Sequence, residues 1–263
     1  MKNLLITLIF LSFGVCKPSQ NIEKLNDNVY ENFSISEKII AKNDKIYKIF
    51  IAKSKTCQTQ CDFLYILDAN AHFPMILNLV KKPDNLIIIG IGYKTDQAYD
   101  IKNRTKDYTP KIQNNKDGGG DKEFLSFLKD EVFKMTENGY KIKNRAIFGH
   151  SFGGLFVLNT LLVDSSLFTH YFIASPSLWW GESSFLPSVL SLKTCPKIFI
   201  TLGSLEKQRS EFKHNNAKNL AKRLKNDSKC DVVFKLFENK THGSVIKKSL
   251  NFTLENFKWF KIV

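Results

Sequence analysis

In the segment RAIFGHSFGG, residues 145–154, a short apolar run meets a Gly-x-Ser-x-Gly motif. The apolar run has the length of a buried strand, and residues 153–163 (GGLFVLNTLLV) read as an apolar helix. That context gives the motif its meaning. A sharp strand-to-helix turn lifts the Ser151 hydroxyl above a sheet, and glycines on either side admit the tight backbone. The plain alternative is a glycine-rich turn that only packs a helix on a strand, and partners elsewhere in the chain weigh against it.

To either side of this turn, strands and helices alternate. Apolar, β-rich runs predict strands over residues 29–35, 45–52, 63–68, 85–93, 145–149, 170–174, 197–202 and 231–237. Helical spacing predicts helices over 71–81, 121–136, 153–163, 212–225 and 245–261. Residues 94–120 are polar and irregular, end in three glycines and read as a long loop. From residue 63 onward the alternation predicts an α/β fold: a mostly parallel central sheet with helices on both faces. Residues 17–27 read as a linker and 28–263 as one domain.

In such sheets a site forms at the carboxyl ends of the strands, so the loops there carry the search. A serine hydroxyl is a weak nucleophile and needs a base. Of five histidines, His242 alone lies in a loop after the last strand, matching the chain order serine, acid, histidine. His150 beside the serine is expected to pack away from it. His72 is placed near a pocket, and His170 and His214 are read as solvated or structural. Glu206, in the loop after residues 197–202, is the expected acid that fixes the histidine tautomer. Glu182 is the alternative, and Glu238 sits too close to the histidine loop. Two backbone N–H groups must meet the developing oxyanion. Phe152 supplies one, and Asn70, where residues 68–70 turn into a helix, supplies the other. Asp68 is expected to brace that turn.

The whole chain sets the class. Its 263 residues are 43% hydrophobic and 24% charged, which suits a folded domain and excludes a disordered or collagenous chain. The formal charge of +14 goes with a lysine-rich composition and is not read as nucleic-acid binding. The amino terminus, MKNLLITLIFLSFGVC, has a Lys2 n-region and an apolar run too short for a membrane span. Residues 1–16 read as a signal peptide, so the protein is expected to be periplasmic or secreted. The rival is a lipid anchor through Cys16. Export makes disulfides expected: Cys57 with Cys61, and Cys195 with Cys230, each of the latter just before a strand. No Cys-x-x-Cys pair or histidine cluster suggests a metal site.

Six segments then occur in a telling order: DFLYILDANAHF (62–73), RTKDYTP (104–110), GGGDKEFLSFLKDE (118–131), GHSFGG (149–154), SPSLWW (175–180) and THGS (241–244). Together they resemble the putative-esterase, or esterase D-like, branch of the α/β-hydrolases, which includes exported siderophore esterases that cut enterobactin-type trilactones. The resemblance covers roughly residues 25–260. It implies a three-layer α/β-hydrolase fold and a serine esterase with no metal or organic cofactor. In the related mycolyltransferases the oxyanion N–H follows a Leu-Asp-Gly turn. Here the turn reads Leu67-Asp68-Ala69, and Asn70 keeps the position. Arg104, Tyr108 and Trp180 become candidates to bind an ester substrate, an anionic one in the case of Arg104. Arg104 paired with Asp107 is the structural alternative, as is lid packing for Trp179 and Trp180. An acyltransferase on the same fold and a non-catalytic binder of an anionic ligand remain as competing readings.

Overall fold

Strands β3 (Gln60–Leu67) and β4 (Leu86–Tyr93) show how the chain builds its layers. Successive side chains of a strand point to opposite faces, so a strand covered on both sides has no polar face. In β3, Phe63, Tyr65 and Leu67 enter one core while Leu64 and Ile66 enter the other. In β4, Ile87, Ile89 and Ile91 face the first core, and Leu86 and Ile88 the second.

The computed structural model describes residues 18–113, 115–206 and 216–257. The expected signal peptide, the Cys16 anchor and His214 lie outside the described residues. The remaining strands are β1 (Phe33–Lys42), β2 (Lys45–Ser54), β5 (Lys141–His150), β6 (His170–Ala174), β7 (Lys197–Gly203) and β8 (Val232–Phe237). They form one sheet in the order β1-β2-β4-β3-β5-β6-β7-β8. The pairs β1–β2 and β2–β4 are antiparallel, and all the others are parallel.

One face is covered by α1 (Asp27–Asn32), α2 (Ala69–Leu79) and α8 (Ile246–Phe257). The other carries α3 (Ile101–Tyr108), α4 (Asp121–Phe127), α6 (Phe152–Val163) and α7 (Ala217–Ser228). From α4 the chain passes through a π-helical turn (Leu128–Phe133) into α5 (Lys134–Glu137). This is the three-layer α/β-hydrolase fold. Among the described residues no helix is long and apolar enough to cross a membrane.

Three expectations change. Residues 101–108, read as loop, form α3. Residues 27–32, read in part as strand, form α1. The segment read as a linker is docked: Asn78 bonds to Asn26 and Lys24, and Gln20 bonds both the N–H and the C=O of Tyr99.

Cys57 is joined to Cys61 and Cys195 to Cys230, with Cα atoms 5.8 and 5.0 Å apart. The second bridge ties the starts of neighbouring strands β7 and β8. Both bridges lie at the amino ends of the parallel strands, the edge away from Ser151.

Candidate active site

Ser151 stands between the end of β5 and the start of α6, with φ +59° and ψ −117°. A non-glycine residue at positive φ is held there by its surroundings. Here its N–H donates to Ala174 O (3.0 Å), and its C=O accepts from Leu155 N (2.9 Å) and Ser177 N (3.2 Å). A Cβ on Gly149 would collide with the Gly153 carbonyl, and one on Gly154 would lie 2.6 Å from Ala174 O. The turn therefore closes only over bare backbone. The Ser151 hydroxyl lies 3.2 Å from the Ser177 hydroxyl.

His242 sits in the loop between β8 and α8 and is half exposed. Thr241 and Ser244 brace this loop reciprocally: Thr241 N donates to Ser244 Oγ (2.9 Å), and Ser244 N to Thr241 Oγ1 (3.3 Å). His242 Nδ1 is 2.8 Å from Glu206 Oε2. The other oxygen, Glu206 Oε1, accepts from Ser175 Oγ (2.6 Å) and Gly203 N (2.7 Å). Of the three carboxylates weighed from the sequence, Glu206 is the one that reaches His242, while Glu182 and Glu238 are exposed. Ser175 and Ser177 were missed. Their signal in the sequence is the SPS stretch at the carboxyl end of a strand.

Asn70 and Phe152 open two helices that leave adjacent strands, β3 and β5. First-turn N–H groups have no partner within their own helix and carry the positive end of its dipole. The helix starts approach closely: a Cβ on Gly153 would lie 3.5 Å from Asp68 Oδ2 and Leu67 Cβ. The Asn70 side chain is committed elsewhere. Its Oδ1 accepts from Tyr93 N, and its Nδ2 donates to Tyr93 O and Thr95 O.

Arg104 has a different place from the expected one. It is buried, and its guanidinium holds Asp68 through two hydrogen bonds of 2.8 Å, Nε to Oδ1 and Nη2 to Oδ2. Burial opposes that charge, but the Asp68 carboxylate outweighs it and raises the Arg104 pKa. Asp107, the alternative partner, instead accepts from Lys45, Tyr47 and Tyr93. Tyr108 is fully buried, and its hydroxyl accepts from Asp68 N (3.3 Å). Trp180 is buried too, donating from Nε1 to Pro110 O (2.9 Å). All three side chains are buried and brace the turn and loops around Ser151. Trp179 is 37% exposed, with its ring 5.6 Å from that of Phe152.

The other described histidines, His72, His150 and His170, are buried. His150 packs its ring 4.5 Å from that of His242. Burial, followed by the neighbouring His242 and His72, holds its pKa well below the usual imidazole value. His72, expected near a pocket, lies against Leu67 O through Nδ1 (3.0 Å) and the Tyr99 hydroxyl through Nε2 (3.1 Å). A carbonyl only accepts, so Nδ1 carries the proton and Nε2 accepts from Tyr99. Among the described residues no cluster of three His, Cys, Asp or Glu side chains is placed to hold a metal ion.

The family model described as putative esterase matches residues 52–238. Ferri-bacillibactin esterase BesA of Bacillus subtilis is 29% identical over 248 residues, 80% of this chain and 86% of that protein. Apo-salmochelin esterase of Escherichia coli is 27% identical over 248 residues, 84% of this chain and 78% of its own length. Siderophore hydrolase EstA from Aspergillus nidulans superposes with a TM-score of 0.76 at 25% identity, over 90% of this chain and 99% of that one. The chain belongs to the putative-esterase family of α/β-hydrolases.

Proposed function

We propose that this protein is an exported serine esterase that hydrolyses siderophore-type carboxylic esters through an acyl-enzyme. The observation that carries the mechanism is the 2.8 Å contact between His242 Nδ1 and Glu206, in a chain whose Ser151 occupies a positive-φ turn. With Nδ1–H donating to the carboxylate, His242 Nε2 is left as the base. Ser151 Oγ attacks the ester carbonyl as Nε2 takes its proton, and the oxyanion meets the N–H groups of Phe152 and Asn70. His242 then protonates the departing alcohol. Water, activated by the same base, releases the acid. The substrate class is supported by relatives named for ferri-bacillibactin and apo-salmochelin. Export is supported by the amino-terminal MKNLLITLIFLSFGVC and by two paired disulfides, which persist in oxidising compartments.

The test compares the parent with Ser151→Ala on p-nitrophenyl butyrate and on a trilactone siderophore, with products read by mass spectrometry. The parent is expected to open the trilactone, and alanine to lower kcat by about a thousandfold or more. Equal turnover by both proteins would overturn the serine mechanism. An inert trilactone beside rapid butyrate cleavage would overturn the substrate class.

A further inference from the structure

The turn Ser175-Pro176-Ser177, which follows β6, touches both ends of the proposed machinery. Ser175 Oγ donates to Glu206 Oε1 at 2.6 Å. Two residues on, Ser177 Oγ lies 3.2 Å from Ser151 Oγ, and Ser177 N donates to Ser151 O at 3.2 Å. Pro176 fixes the backbone between the two hydroxyls. Ser177 is buried, so its hydroxyl is not free to turn to bulk water. We propose that Ser177 is a catalytic residue whose hydroxyl donates to the Ser151 oxygen and stabilises that oxygen as it leaves the acyl group.

The direction of this bond follows from proton accounting, and it rests on the serine-esterase reading above. Ser151 Oγ has one proton, and attack requires that it pass to His242 Nε2. The bond between the two serine oxygens must then carry the Ser177 proton. In acylation the Oγ–carbon bond forms, the Ser151 proton moves to His242, and the departing alcohol takes it. In deacylation water adds and gives a proton to His242. The Oγ–carbon bond then breaks, its electron pair returns to Oγ, and His242 protonates that oxygen. Ser177 keeps its own proton throughout. Its donor matters most when charge builds on Oγ, which is the breakdown of the acyl-enzyme.

The experiment uses the full chain and p-nitrophenyl butyrate, with parent, Ser151→Ala, Ser177→Ala and Ser177→Thr. A donor to a charging oxygen is expected to be worth about 10- to 100-fold in kcat. Ser177→Ala should lose that much kcat, with a smaller loss in kcat/KM, because acyl-enzyme accumulates. Its first turnover should show a burst, and intact mass should show one butyryl group. Threonine should recover the larger part of the loss. Thermal melting checks that the variants fold. Should alanine fail that check, Ser177→Cys, close in volume and a poor donor, gives the same comparison. Turnover within about twofold of the parent would overturn the proposal, since the bond would then be worth less than a neutral hydrogen bond. A loss without acyl-enzyme build-up would overturn it as well. Ser151→Ala as active as the parent would instead sink the serine-esterase reading. An inactive Ser151→Ala beside a fully active Ser177→Ala sinks only the role given to Ser177.

Discussion

A methyl group at position 149 would collide with the Gly153 carbonyl, whereas one at position 153 meets only ordinary contacts at 3.5 Å. The two glycines of the Gly-x-Ser-x-Gly motif are therefore unequal. The first is required because backbone passes over it, and the partner it shares that duty with is Gly154, outside the motif as usually written. Sequence alone shows glycines without showing which of them backbone crosses, so this difference was not legible in RAIFGHSFGG. It predicts a contrast. Gly149→Ala should cost about 3 kcal/mol, because rigid backbone must move. Gly153→Ala, inside the first turn of α6, should leave stability unchanged or raise it by up to about 1 kcal/mol. Urea unfolding of both variants measures this, and equal losses would mean the turn does not close as described.

At the scale of the element, α3 is where the sequence was least legible. Its buried face is Arg104, Asp107 and Tyr108, at i, i+3 and i+4. That is helical spacing, but the buried side chains are polar, so a search for apolar periodicity sees only a loop. Strands β3 and β4 were legible for the converse reason, since both of their faces are buried and apolar. In α3 the buried Arg104, Asp107 and Tyr108 each have a polar partner, as a buried charge demands. The Arg104–Asp68 pair fastens α3 to the turn that presents Asn70. Replacing one member leaves the other charge buried and alone, at a cost of about 3–5 kcal/mol. Arg104→Met should therefore be strongly destabilised, and Asp68→Asn placed on top of it should cost much less than in the parent. A double-mutant cycle by urea unfolding is expected to give a coupling of about 2 kcal/mol. If Arg104 instead gripped substrate, its loss would raise KM and leave stability alone, with a coupling near zero.

Over the whole molecule, the alternation of strands and helices was legible because a sheet covered on both faces leaves continuous apolar runs. The pairing of Glu206 with His242 was legible only as an order along the chain, because the loops that carry them are held together by backbone contacts such as Leu205 N to Lys240 O. The same double covering buries three histidines, His72, His150 and His170, in a chain of formal charge +14. Burial lowers the pKa of each, His170 to about 4 with Lys197 adding to the effect. Each is thus held toward its neutral form in the folded protein, while the unfolded chain titrates near the ordinary value of about 6.5. The unfolded state binds more protons below that pH, so stability is fully present above about pH 6.5 and falls as pH drops toward 4. The carboxyls of half-buried Asp62 and of buried Asp107 and Asp121 are shifted upward and act with the opposite sign, but from a lower starting value. Each buried histidine acts on the slope from about pH 6.5 downward. Each can contribute up to about 1.4 kcal/mol per pH unit. His170→Phe keeps a ring beside the stacked pair of Phe172 and Phe199, whose planes His170 parallels. It should shed one histidine's share: from pH 7 to pH 5 the parent should lose about 2 kcal/mol more than the variant. Urea midpoints at the two pH values measure the difference, and identical losses would mean that His170 takes up its proton in the fold as readily as in the unfolded chain.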